Sequence, residues 1–235
     1  MEKKINRDYV NTPRKEDVAY ETASSVTSMV PGCGGIFKFI FENPAMKRRD
    51  DWIESLEKRI KDLEEKHSLN IEDLQTNEQF ISAVFYASST AIKTHSKSKC
   101  TALLNAITNI AIGIDLDKNK QDIFLNLIDE FTELHISVLN FFYNPEDILK
   151  ELETRNNTSI GNSSFASVFK NYYNIADEDE SLINIIVNSL YSYGLINLSS
   201  EQLTTTMSRS GLTSPRVTEL GKEFIEFIEF IKYDR

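Results

Sequence analysis

Residues 116–145 read LDKNKQDIFLNLIDEFTELHISVLNFFYNP, and the spacing of their apolar side chains decides the fold class. Phe124, Leu127, Ile128, Phe131, His135, Val138, Leu139 and Phe142 recur three or four residues apart, the period of one helix face. That spacing predicts a single long helix, ended by Pro145. So broad an apolar face needs partner helices, and the preceding sequence offers two. Phe80, Ile81, Val84, Phe85, Ser88, Ala91 and Ile92 make one wide stripe; Cys100, Leu103, Leu104, Ile107, Ile110 and Ala111 make another, with Gly113 as its stop. Three such helices predict a bundle. Ahead of them, residues 45–67 carry a narrower stripe of Trp52, Leu56, Ile60 and Leu63 among many charges. It predicts an amphipathic helix lying on its own domain, with a coiled-coil edge as the alternative.

Past Pro145 the texture changes. PEDILKELE and SFASVFKNYYN are short helical patterns separated by the turn-rich TRNNTSIGNSS. Four consecutive acids, Asp177 to Glu180, then lead into a helix that closes at Gly194, acids being favourable at the positive end of a helix dipole. LINL reads as a short strand, residues 199–216 as a polar excursion, and VTELGKEFIEFIEFI as a strand-like pair, the second strand, running into a last helix. This is the element order of a winged-helix module. The expected fold is therefore mainly α, a helical bundle with a C-terminal winged-helix-like α+β module. Its expected segments are an N-terminal arm and Gly/Pro-rich stretch (1–44), the bundle (45–144) and the module (145–235).

Composition narrows the function. Asp and Glu outnumber Lys and Arg by 36 to 26, a net charge of −10, which on average repels nucleic acid and anionic membranes. No run of about 18 apolar residues occurs, so no membrane-spanning helix is expected. The polar N-terminus lacks the apolar core of a secretory leader, and Cys33 and Cys100 stand far apart without a CxxC pairing. A reducing cytoplasm is the expected location.

The ending supplies a resemblance. Gly194-Leu195-Ile196, a polar loop, and Thr218-Glu219-Leu220-Gly221-Lys222-Glu223-Phe224 form a pattern similar to the C-terminal part of the abortive infection alpha family. Those are helical proteins of bacterial and prophage genomes linked to phage exclusion. The resemblance covers the last third of the chain and implies a helical region followed by a small module, without catalytic residues to carry over.

Candidate chemistry is sparse. His95, Cys100 and His135 are the one conceivable soft-metal set, but they lack the short paired spacings of a zinc site, and His135 lies on an apolar stripe. Cys33 sits between Pro31-Gly32 and Gly34-Gly35 with no base in view. Asp115-Leu116-Asp117 lacks the frame of a calcium loop. No catalytic residue, metal or cofactor is expected. Residues 30–41 carry Ile36, Phe37 and Ile40, and Lys47, Arg48 and Arg49 follow. A Gly/Pro turn that plugs the bundle with its aromatics is the commoner outcome for such a stretch. Docking of a partner or a membrane by Ile36, Phe37, Ile40, Lys47, Arg48 and Arg49 is the alternative. The expected function is protein–protein contact by a non-enzymatic bacterial or phage-encoded protein in phage exclusion or its control, self-association included. Nucleic-acid binding is disfavoured, because residues 171–208 contain no Lys or Arg. The rivals are a winged-helix DNA-binding regulator and a membrane-directed effector using residues 30–41.

Overall fold

The structure is a computed structural model that describes residues 44–67, 69–157, 159–173 and 180–229. Cys33 and the apolar docking candidates Ile36, Phe37 and Ile40 lie outside the described residues, as do Asp177 to Asp179. The described chain is mainly helical: α1 Pro44–His67, α2 Ile71–Thr76, α3 Glu78–Lys93, α4 Lys97–Ala111, α5 Lys118–Glu130, α6 Glu133–Tyr143, α7 Pro145–Asn156, α8 Phe165–Tyr173, α9 Glu180–Ser192, α10 Arg209–Leu212 and α11 Glu219–Ile228. It divides into two compact units, one ending at Glu54 and one beginning at Ser55. Of the first, only the opening turns of α1 are described. No described helix is long and apolar enough to cross a membrane.

Short polar residues set the helix starts. Asn70, Asn77, Ser96, Asp117, Ser208 and Thr218 each accept a hydrogen bond from a backbone N–H of the first turn, which satisfies a donor that has no intrahelical partner. Pro145 occupies the first turn of α7, where its missing N–H costs nothing.

The long helix expected across residues 116–145 is broken in two. α5 ends at Glu130, Phe131 turns extended (φ −70°, ψ 139°), and α6 starts at Glu133. Thr132 and His135 cause the break. The Thr132 N–H donates to His135 Nδ1 at 3.2 Å, and the His135 N–H donates back to the Thr132 side chain, a capping box; Thr132 Oγ1 also lies 2.8 Å from the same ring nitrogen. The expected core positions are nonetheless buried, Phe124, Phe131, Val138 and Phe142 among them. Phe141 joins them, because Phe165 and Phe169 of α8 pack edge-on against it at 6.0 and 4.8 Å.

α4 lies at the centre of the second unit, packed against α3, α5 and α11. Its expected stripe widens to burial on all sides, Asn105, Thr108 and Asn109 included. The two asparagines cap α11, while the Thr108 hydroxyl donates to the Leu104 carbonyl of its own helix. Asn105 Nδ2 donates to the Ile228 carbonyl at 2.9 Å, and Asn109 Nδ2 lies within 3.1 Å of the carbonyls of Glu226, Phe227 and Glu229. Arg59 of α1 donates to Asn105 Oδ1 and fixes the amide's orientation. The last carbonyls of a helix lack intrahelical partners, and buried amides supply them here. Leu63, Leu74 and Ala111 form a satellite cluster with Ile60, Leu69, Phe80 and Ile112.

The segments before and after Pro145 share one core. Phe124 packs on Phe224 and Phe227, α11 on α4, and α9 on α6. Among the described residues no strand forms. LINL and the strand-like pair expected at Val217 shrink to a single antiparallel bridge, Ile196 with Val217, and a second joins Ser163 to Met207. The chain leaves the first bridge after two hydrogen bonds, Asn197 N–H to the Arg216 carbonyl and Thr218 N–H to the Leu195 carbonyl. Leu198, Leu203 and Leu212 explain why. All three are buried, so the excursion folds back onto the core through a 3-10 turn at Ser200–Gln202 and through α10.

The capping box carries a pH prediction. Burial holds the His135 pKa below its ordinary 6.5, the nearby Glu130 opposing and Lys99 assisting. Its Nδ1 accepts a backbone N–H, a role that protonation ends. Stability from this group is present above about pH 6.5 and is lost as pH falls toward the lowered folded value, since the unfolded chain binds the proton first. Urea denaturation at about pH 7.5 and about pH 5.5 should therefore show a drop that is smaller in His135→Gln. An equal drop in the two proteins would refute the assignment.

Candidate docking surface

α9 is apolar on two sides. Ile183, Ile186, Val187 and Leu190 are buried, and the helix packs on α6, α8 and the 3-10 turn. The opposite side carries Leu182, Ile185 and Tyr191, exposed by 44%, 63% and 50%, with exposed Asn188 between them. A lone exposed apolar residue is ordinary on a protein surface, but Leu182 and Ile185 are neighbours one turn apart, with Tyr191 two turns further along on the far edge of the same outward side. Between Ser181 and Ser192 no side chain but Tyr191 is ionisable. Just beyond the helix, Tyr193 donates to Glu130 at 2.5 Å, and this hydrogen bond raises its pKa above the usual phenol value.

The arginines of the 197–216 loop are turned inward. Arg209 lies between Glu146 and Glu153 of α7, donating to both, the former at 3.1 Å. Glu153 Oε1 also accepts the Ile160 N–H at 2.8 Å, and that bond, more than Arg209, holds its carboxyl below the usual range. Arg216 is half-buried with its Nε in the interior. Neither presents a guanidinium to a passing phosphate as a freely solvated wing residue would.

The two halves of the sequence pattern at residues 194–196 and 218–224 meet in space. Thr218 Oγ1 donates to the Gly194 carbonyl at 2.6 Å, the Thr218 N–H donates to the Leu195 carbonyl at 3.0 Å, and Gly194 takes a positive φ of 71° to close α9. A side chain at Gly221 would run into the Leu195 carbonyl. The pattern is a structural joint that anchors the end of α9 to the start of α11.

The other candidates do not converge. Lys47, Arg48 and Arg49 lie in the first turns of α1, and Arg49 pairs with its neighbour Asp50 at 2.8 Å. His95 is exposed, Cys100 half-buried, and His135 engaged with Thr132. Asp117 caps α5, and the Lys120 backbone N–H foremost lowers its pKa. Among the described residues, no three His, Cys, Asp or Glu side chains are placed to hold a metal ion. A cleft of about 260 Å³ between α7 and α8 is lined by amides, hydroxyls and aliphatic groups, Asn156, Asn162, Ser163 and Asn171 among them.

The outward placement of Leu182 and Ile185 was not anticipated from the sequence. The signal was present. Leu182, Ile183, Ile185, Ile186, Val187 and Leu190 are more apolar positions than one helix face can bury. Comparison with protein-family models, curated proteins and solved structures found no match to this chain.

Proposed function

We propose that this chain acts by binding another protein through the outward face of α9, and that it performs no chemistry of its own. The observation that carries the reading is the exposure of Leu182, Ile185 and Tyr191 on a helix with no basic side chain. In element order α9 takes the place of a winged-helix recognition helix, and residues 197–216 take the place of the wing. Recognition helices contact nucleic acid through donors and cations at their N-terminal end. Here that end begins with Glu180 and follows three more acids in the sequence, and Arg209 is engaged with α7. A mainly apolar helix, uncharged beyond its first residue and with no basic side chain, suits a hydrophobic groove or a second helix on a partner protein.

The resemblance of residues 194–196 and 218–224 to the abortive infection alpha family supports a reading in which the contact serves phage exclusion or its control, in the cytoplasm of a bacterium, as a bacterial or prophage product. The test is plating efficiency of phage on cells expressing the chain. Wild type should reduce plating, and Leu182→Asp with Ile185→Asp should restore it while circular dichroism and the thermal midpoint stay unchanged. Exclusion by the double variant equal to wild type would remove α9 from the function.

A further inference from the structure

The most exposed large apolar side chain among the described residues is Phe85, at 73%, and it lies far from α9 in sequence, on α3. The inner face of α3 is made of small residues, Ala83, Ala87, Thr90 and Ala91, all buried, and the helix packs on α4 and α5. Its outer face is the series Glu78, Ser82, Phe85, Ser89 and Lys93, every member exposed. Steps of four, three, four and four residues keep the five on one face.

The order of these residues is self-complementary. An acid stands at one end and a base at the other, fifteen residues or about 22 Å apart along the axis. A hydroxyl follows at each side, and an aromatic lies in the middle. Turned end for end about a two-fold axis between positions 85 and 86, the series meets its own complement. Glu78 then falls opposite Lys93 of a second copy, Ser82 opposite Ser89, and the two Phe85 rings flank the axis. The small serines beside each ring leave room for the second helix to approach. The neighbouring helix extends the apolar area. Tyr86 donates to Asn126 of α5 at 2.8 Å, and one turn before Asn126 stands Ile123, 52% exposed.

We propose that a second copy of this chain docks here, α3 against α3 in antiparallel orientation, forming an isologous two-fold dimer. A two-fold interface must place each residue against its symmetry complement, and this helix satisfies that condition in charge at both ends. The Lys93 ammonium has three donors, so a carboxylate from a second chain adds to whatever it already contacts. The dimer uses a surface separate from α9, and so presents two copies of the partner-binding helix in one assembly. That would raise avidity for a repeated or dimeric partner.

Sedimentation equilibrium of the full chain, with circular dichroism as the folding control, tests this. Wild type should dimerise with a concentration-dependent mass, and Phe85→Asp should weaken association at least about tenfold by placing charge at the centre. Glu78→Lys or Lys93→Glu alone creates two like-charge contacts by symmetry and should weaken it by about three- to tenfold. The two reversals together restore opposite charges and should return the constant to near wild type. A monomer at all concentrations, a dimer indifferent to Phe85→Asp, or a double reversal no tighter than the single ones would overturn the proposal.

Discussion

Phe131→Ala is expected to lower the unfolding free energy by about 3–5 kcal/mol, the cost of deleting a fully buried ring and leaving its cavity. Phe131 is fully buried at the break between α5 and α6, where several elements depend on one side chain. Its ring stacks on His135 at 4.9 Å and meets Tyr193 and Phe224 edge-on at 5.7 and 5.9 Å. Truncation therefore loosens α6, the end of α9 and α11 together. The backbone there is extended, so neighbouring turns cannot easily collapse into the space. Urea denaturation at neutral pH measures the effect. A midpoint equal to wild type would mean that this junction is not part of the core.

Gly221→Ala should also be strongly destabilising, although alanine is ordinarily the better helix former by about 1 kcal/mol. The added methyl would overlap the Leu195 carbonyl and stand 2.7 Å from Val217 Cγ1. The carbonyl is backbone, held by the Thr218 N–H at 3.0 Å, and cannot swing aside like a side chain. Overpacking of this kind costs about 1–3 kcal/mol or more, which outweighs the propensity gain. Gly161→Ala is the control, since nothing lies within 4 Å of its added methyl. If both variants melt like wild type, the joint between α9 and α11 is not tight.

The helices were legible in outline because apolar period marks them, although on α3 the period counted Phe85 into the apolar stripe, and the structure leaves it 73% exposed with Ala83, Ala87 and Ala91 facing inward. Phe124, Val138 and Phe142 are buried as their spacing implied. The break at Thr132 was legible in principle, as a threonine followed three residues later by a side chain able to reach back. It was obscured because His135 rather than Glu or Gln plays that part, while the apolar stripe runs on through the break. The Asn105 and Asn109 clamp was not legible. An asparagine on a helix ordinarily faces water, and only the arrival of α11, more than a hundred residues later in the chain, makes it a buried cap. The strands failed for a related reason. LINL is a short apolar run after a turn glycine, as a strand can be, but two hydrogen bonds satisfy that stretch before Leu198 turns inward. At α9 the excess of apolar positions was visible in the sequence, whereas which of them faced outward depended on where α6 and α8 packed.

The claim that α9 meets a protein is tested most directly by placing a photo-crosslinking amino acid at position 185 in the full chain, expressed in bacteria under phage infection. A matched probe at exposed Glu201 serves as the control. After irradiation, position 185 should yield discrete protease-sensitive adducts that are absent from position 201 and unaffected by nuclease. Nuclease-sensitive adducts at position 185, or a pattern identical at both positions, would contradict the account.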